Sequence, residues 1–148
     1  MKLNKDGYKL ITDFEGFSSK PYLCAAKIPT IGFGNTYYPD GQRVTLLDKP
    51  ITKEYALEIF KFIADRFCLA VNKQLKKEVN QNQLNSLTSI TYNIGIAAFM
   101  NSSLLKLVNK NPDDPLIELE FKKWNKVGKK EVAGLTKRRK HEADIYFS

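Results

Sequence analysis

Three observations predict an α+β fold in which a small antiparallel sheet lobe is inserted after the first helix and packs beside a larger helical lobe. Apolar residues recur at helical spacing near the start of the chain. Between about residues 18 and 48 this gives way to short alternating segments broken by proline and glycine. From residue 52 onward the helical period returns and persists to the end.

Each element has its own signal. Asn4 is placed to cap a first helix of about residues 4–15, in which Tyr8, Ile11 and Phe14 recur at helical spacing and Gly16 is the stop. The extended segments are Tyr22-Leu23-Cys24, Ile31-Gly32-Phe33 and Arg43-Val44-Thr45, set off by Pro29, Gly34 and Asp40-Gly41, and they predict two or three strands. Thr52 can cap a long helix to about residue 77 whose apolar face carries Leu57, Phe60, Ala64, Phe67, Cys68, Val71 and Leu75. After Asn80-Gln81-Asn82, a more buried helix with Leu84, Leu87, Ile90 and Ile94 is closed by Gly95. Ser102 caps a short helix through residue 107, Asp113-Asp114-Pro115 opens another through residue 124, and a loop at 128–134 precedes a last helix over 135–146.

At 148 residues the chain is expected to be one domain, 1–148, large enough to bury a core without disulfide staples. Its 24 Lys and Arg against 16 Asp and Glu give a formal charge of +8, which favours anionic partners: nucleic acid, anionic membrane surfaces or bacterial cell walls. Cys24 and Cys68 lack CxxC or Cys/His spacing, so two reduced thiols are expected rather than a disulfide or zinc site. No apolar run approaches the roughly 20 residues of a membrane-spanning helix, and no signal-peptide core follows Met1. A target outside the cell would then require a separate exit route.

Several chemistries drop out on inspection. The single histidine, His141, lies on the charged last helix, a poor location for a Ser-His-Asp triad or a metal cluster. No phosphate-binding loop is present, and Gly32-Phe33-Gly34 lacks the third glycine of a dinucleotide site, so these glycines are expected to let the backbone turn or approach something closely. No metal and no cofactor is expected. Glu15 stands out, because a carboxylate at a helix C-terminus faces the negative end of the macrodipole, and Phe14 and Phe17 add desolvation; both favour the protonated form that a general acid needs. Taken alone, the position is better read as an exposed glutamate at a fraying helix end.

The spacing around Glu15 reverses that preference. Cys24 follows after eight residues and Thr30 after five more, within Pro29-Thr30-Ile31-Gly32-Phe33-Gly34-Asn35-Thr36. The arrangement resembles the phage-type lysozymes, glycoside hydrolase family 24, whose motif is Glu-x8-Asp-x5-Thr with Cys replacing Asp in some members. Asn82-Gln83-Leu84, Tyr92-Asn93-Ile94-Gly95, Ser102-Ser103-Leu104-Leu105, Trp124-Asn125-Lys126 and 134–139 continue the resemblance over nearly the whole chain.

The resemblance implies a lysozyme-like fold and a hydrolase, a glycosidase that cleaves the β-1,4 bond between N-acetylmuramic acid and N-acetylglucosamine in bacterial peptidoglycan. Glu15 would be the general acid, with Cys24 and Thr30 positioning or activating water, and substrate would lie between the two lobes. Thr36, Tyr92 and Ser102 match substrate-facing places, although Tyr92 reads equally well as a core aromatic. Trp124 reads as core. Cys24 departs from the commoner aspartate: a thiol of ordinary pKa, about 8.5, is mostly neutral at pH 7 where an aspartate is ionised. Lys20 and Lys27 are near enough in sequence to lower it, and Asp13 and Asp40 are alternative carboxylates.

Residues 122–140 hold nine Lys or Arg against Glu131 alone, a solvated face or a patch that keeps the protein near anionic envelope polymers; Arg138 or Arg139 can instead turn inward onto a carboxylate. A nucleic-acid partner has no support beyond charge. The expected role is that of an endolysin made in the host bacterial cytoplasm, released through a holin-type pore, monomeric and causing lysis at the wall. The alternatives are a glycan-binding protein with impaired catalysis or an antibacterial effector. Retention of Glu15 and Thr30 argues for catalysis.

Overall fold

The computed structural model describes residues 1–148, which form two compact units, Ile11–Arg66 and Met1–Leu10 with Phe67–Ser148. The boundaries between them fall inside two helices, α1 (Lys5–Glu15) and α2 (Lys53–Gln74). The first unit therefore takes in the end of α1 and the greater part of α2, besides the segment between them.

In the unit Ile11–Arg66, β1 (Ser18–Leu23) pairs antiparallel with β2 (Pro29–Gly32), bringing Tyr22 opposite Thr30 and Leu23 opposite Pro29. The connecting turn is closed by Cys24 N–H donating to Ile28 O (3.1 Å) and Lys27 N–H donating to Cys24 O (2.8 Å). Lys27 adopts φ 60, a left-handed conformation that costs a non-glycine residue ~1 kcal/mol. Of the two or three strands expected, two form, and the third segment contributes a bridge between Tyr37 and Arg43. Ile11, Ile31, Phe33, Val44, Ile59 and Phe60 form this unit's core, with the Phe33 ring edge-on to Phe60 at 5.7 Å. The cap at Thr52 is present, its hydroxyl accepting from Tyr55 N–H at 3.1 Å.

The other unit is helical, with α3 (Gln81–Ile94), α4 (Ile96–Met100), α5 (Ser103–Lys110), α6 (Ile117–Lys122) and α7 (Ala133–Tyr146). Asn80 and Gln83 form a reciprocal capping box at the start of α3, and Gly95 ends it at φ 94. Every residue from Gln83 to Thr91 is buried, because α3 packs against both α4 and α7. Gly7 of α1 approaches α3 so closely that a Cβ there would lie 2.5 Å from Asn85 Oδ1. The region read as a loop at 128–134 overlaps a hairpin that starts before it, β3 (Lys126–Val127) and β4 (Lys130–Glu131), turned at Gly128 (φ 63). Gly134 lies in the first turn of α7, so that helix begins earlier than its apolar period indicates. α4 also went unread: it fills five of the six residues between Gly95 and the Ser102 cap, too few to establish a period.

Arg138 and Arg139 both turn inward. Arg139 Nε lies 2.9 Å from Glu142 Oε1, Arg138 Nε lies 3.4 Å from Glu142 Oε2, and the Ser89 hydroxyl donates to the same carboxylate. Arg139 also donates to Asn93 Oδ1 at 2.7 Å. Arg139 and Glu142 are completely buried.

Candidate active site

The site grows from the junction of α1 with the β1–β2 hairpin. Glu15 is the last residue of α1, and Gly16, at φ 65, turns the chain out of the helix toward β1. The Glu15 carboxylate is half-buried and lies against Gly34, where a Cβ would come within 2.7 Å of Glu15 Oε2. Gly34 itself is at φ 79, in the turn whose ends are tied by reciprocal backbone bonds between Ile31 and Asn35 (2.9 and 3.0 Å). The expectation that a glycine in this stretch permits a close approach is met here, and the approaching group is the candidate acid.

Cys24 and Thr30 meet on one face of the hairpin. Because Tyr22 is opposite Thr30, Cys24 sits diagonally across from Thr30, a distance side chains on one sheet face can bridge. Thr30 is buried, its hydroxyl donating to Ile28 O at 2.8 Å, whereas Cys24 is half-buried and not in a disulfide. The backbone of Ile28 holds the Cys24 thiol below its ordinary pKa; burial pushes the other way, and the Thr30 hydroxyl and the backbone of Ala26 and of Cys24 lower it further. Neither Lys20 nor Lys27 is among these causes. Local hydrogen bonding, rather than a neighbouring lysine, therefore lowers the thiol.

Tyr22 is the residue that sequence reasoning passed over. Its phenol is raised above the ordinary tyrosine range, first by burial and then by the negative charge of Glu15 and of Cys24. The hydroxyl thus lies within electrostatic reach of both groups. Two-residue alternation from Cys24 was the signal that could have found it.

The remaining candidates are dispersed. Thr36 is half-buried in the same unit, and its carbonyl accepts from Val44 N–H at 2.9 Å. Tyr92 and Ser102 belong to the helical unit. Tyr92 is half-buried with its ring 5.2 Å from that of Phe67, while Ser102 is buried as the N-cap of α5, accepting from Leu105 N–H (3.1 Å) and donating to Phe99 O (2.6 Å). Trp124 is half-buried, Asp13 and His141 are exposed, and Asp40 accepts from Gln42 N–H at 2.9 Å in a separate turn. The basic segment divides: Arg138 and Arg139 are internal, Lys122, Lys123 and Lys140 pair with Glu118, Glu120 and Asp144, and Lys126, Lys129 and Lys130 stand exposed on the β3–β4 hairpin. No three His, Cys, Asp or Glu side chains are grouped to hold a metal ion, and no helix is long and apolar enough to cross a membrane.

A family model described as phage lysozyme matches residues 12–142. The endolysin of Bacillus phage PZA is 36% identical over 150 residues, covering 100% of this chain and 56% of that protein. The chain thus spans just over half the length of this Bacillus phage relative. Among solved structures, the endolysin from Escherichia coli O157:H7 phage FAHEc1 superposes with a TM-score of 0.89 at 37% identity, over 100% of this chain and 94% of that one. The muramidase domain of SpmX from Asticaccaulis excentricus superposes with a TM-score of 0.85 at 26% identity, over 99% and 98% of the two chains.

Proposed function

Because the chain belongs to the phage lysozyme family, we propose that it hydrolyses bacterial peptidoglycan at the β-1,4 bond between N-acetylmuramic acid and N-acetylglucosamine, with Glu15 as general acid. The observation that carries this reading is the seat of the Glu15 carboxylate against a glycine that has no room for a side chain. That seat restricts the carboxylate, and a positioned acid within hydrogen-bond reach of a leaving oxygen is worth about 10²–10⁴ in rate. Resemblance of the fold to a muramidase domain supports the choice of bond.

In this reading Glu15 gives its proton to the glycosidic oxygen as the bond breaks and positive charge develops on the sugar. Cys24, held toward its thiolate by the Ile28 backbone and Thr30, orients or activates the attacking water, and Thr30 positions it. Thr36 and Tyr92 border the bound glycan, and Ser102 contributes by holding the start of α5. The exposed lysines of the β3–β4 hairpin keep the protein near anionic envelope polymers. The biological setting is a monomeric endolysin made in the host cytoplasm that reaches the wall through a holin-type pore.

Turbidity clearing and release of reducing ends from purified peptidoglycan test the activity. Wild-type protein should clear the suspension and Glu15→Gln should not, while keeping its fold and its binding to the polymer. Binding without cleavage by the wild type would make the chain a glycan-binding protein instead.

A further inference from the structure

Apart from Glu15, Cys24 and Thr30, the unit Ile11–Arg66 carries an open cavity of about 710 Å³ that shares no residue with them or with Thr36. It lies between the 38–42 turn, the segment 48–52 and the first turn of α2, and its volume falls within the roughly 300–1,000 Å³ of small-ligand sites. Two phenol rings, Tyr38 and Tyr55, line it together with Asp40, Gln42, Asp48 and Lys49. Tyr55 is 43% exposed, so an aromatic face is presented rather than packed away.

The walls are rigid. Tyr38 donates to Asp48 Oδ2 at 2.7 Å, and that carboxylate also accepts from Thr45 N–H (3.0 Å) and, through Oδ1, from the Thr45 hydroxyl (2.7 Å). Asp40 ties the opposite turn through Gln42 N–H, leaving the Gln42 side-chain amide exposed at the rim. Pro39 and Pro50 further restrict the backbone. Two carboxylates against one ammonium make the lining net negative on a chain of formal charge +8, which repels the anionic polymers that the rest of the surface attracts. Aromatic faces with a carboxamide and carboxylate rim match an uncharged polyol, which stacks its C–H faces and exchanges hydrogen bonds around its edge.

We infer that this cavity is a second saccharide-binding site, one that takes a stretch of uncharged N-acetylated sugar on the polymer whose cleavage is proposed above. The inference rests on that proposal for its choice of ligand. A second foothold on a repeating polymer raises the effective concentration of bonds at Glu15 without contributing to the chemistry.

The test uses the whole chain with Glu15→Gln to stop turnover and chitohexaose as the probe, followed by NMR. Signals of Tyr38, Gln42 and Tyr55 should shift on titration. Tyr55→Ala in the same background should weaken retention on insoluble peptidoglycan by about threefold to tenfold at unchanged melting temperature. Because Tyr55 is exposed, loss of fold does not confuse the result, and Gln42→Ala offers a second variant at the rim. Shifts confined to the surroundings of Thr30 and Thr36, or retention unchanged in both variants, overturn the second site. Cleavage of peptidoglycan by the wild type decides the hydrolase reading separately.

Discussion

Glu15 and Glu142 are both helical glutamates, and the two units treat them in opposite ways. Glu142 lies inside α7 with no exposed surface, gripped by Arg139, Arg138 and Ser89. Burial pushes its carboxyl up, and the two guanidiniums and the hydroxyl oppose that shift. Glu15 ends α1 half-buried, its carboxylate lying in the space that a side chain on Gly34 would need. A carboxylate with no exposed surface is committed to holding helices together, whereas one left half-buried stays accessible to a substrate.

The strongest way to break this comparison is Glu15→Gln. Activity on peptidoglycan should fall by about 10²–10⁴, since an amide has no acidic proton to give, while denaturant stability changes by under about 1 kcal/mol. More than a tenth of wild-type activity would remove Glu15 from the acid role. Glu142→Gln should show the reverse pattern. Two buried guanidiniums lose their counter-charge, and stability should drop by about 3–5 kcal/mol in urea unfolding, with near-normal activity per folded molecule. A stable but inactive Glu142→Gln protein would show that this cluster serves the reaction directly.

Gly34→Ala sharpens the contrast from the Glu15 side. The new methyl would sit 2.7 Å from Oε2 on a backbone at φ 79, so both the turn and the carboxylate must shift. Activity should fall by at least about tenfold, in keeping with the sensitivity of catalysis to misplacements near 1 Å, with a smaller loss of stability. Wild-type rates from Gly34→Ala would show that Glu15 does not depend on this seat.

The smallest effects concern Cys24. Its thiol should react with an alkylating reagent along a pH curve shifted below that of an ordinary thiol, and Thr30→Val should move the curve upward, because one hydrogen bond favouring the thiolate is lost. Cys68, buried on α2, should react slowly throughout. Cys24→Asp should retain substantial activity and Cys24→Ala should lose several-fold more. An alanine variant as active as wild type would take Cys24 out of the mechanism.

Much of this architecture could be read from the chain because its signals are local. Asn4, Thr52, Asn80 and Ser102 cap helices with their own side chains, an interaction spanning three residues. The order of helix, hairpin and helical lobe follows from where the apolar period changes. The spacing of Glu15, Cys24 and Thr30 marked the candidate site through its resemblance to a family, and a β-hairpin brings the latter two onto one face. The β3–β4 hairpin and α4 escaped because runs of two and five residues are too short to show a period.

Other features depend on contacts between residues distant in sequence, and only the tertiary structure decided them. Whether Arg138 and Arg139 faced water or the interior turned on Ser89 and Asn93, more than 40 positions away, supplying hydrogen-bond partners. Electrostatic coupling of Tyr22 to both Glu15 and Cys24 depends on how β1 returns past the end of α1. The sequence determined that Gly34 can take a left-handed turn, since any glycine can; that the space beside it belongs to Glu15 was decided by folding, because the missing Cβ acquires meaning only when another atom fills its place.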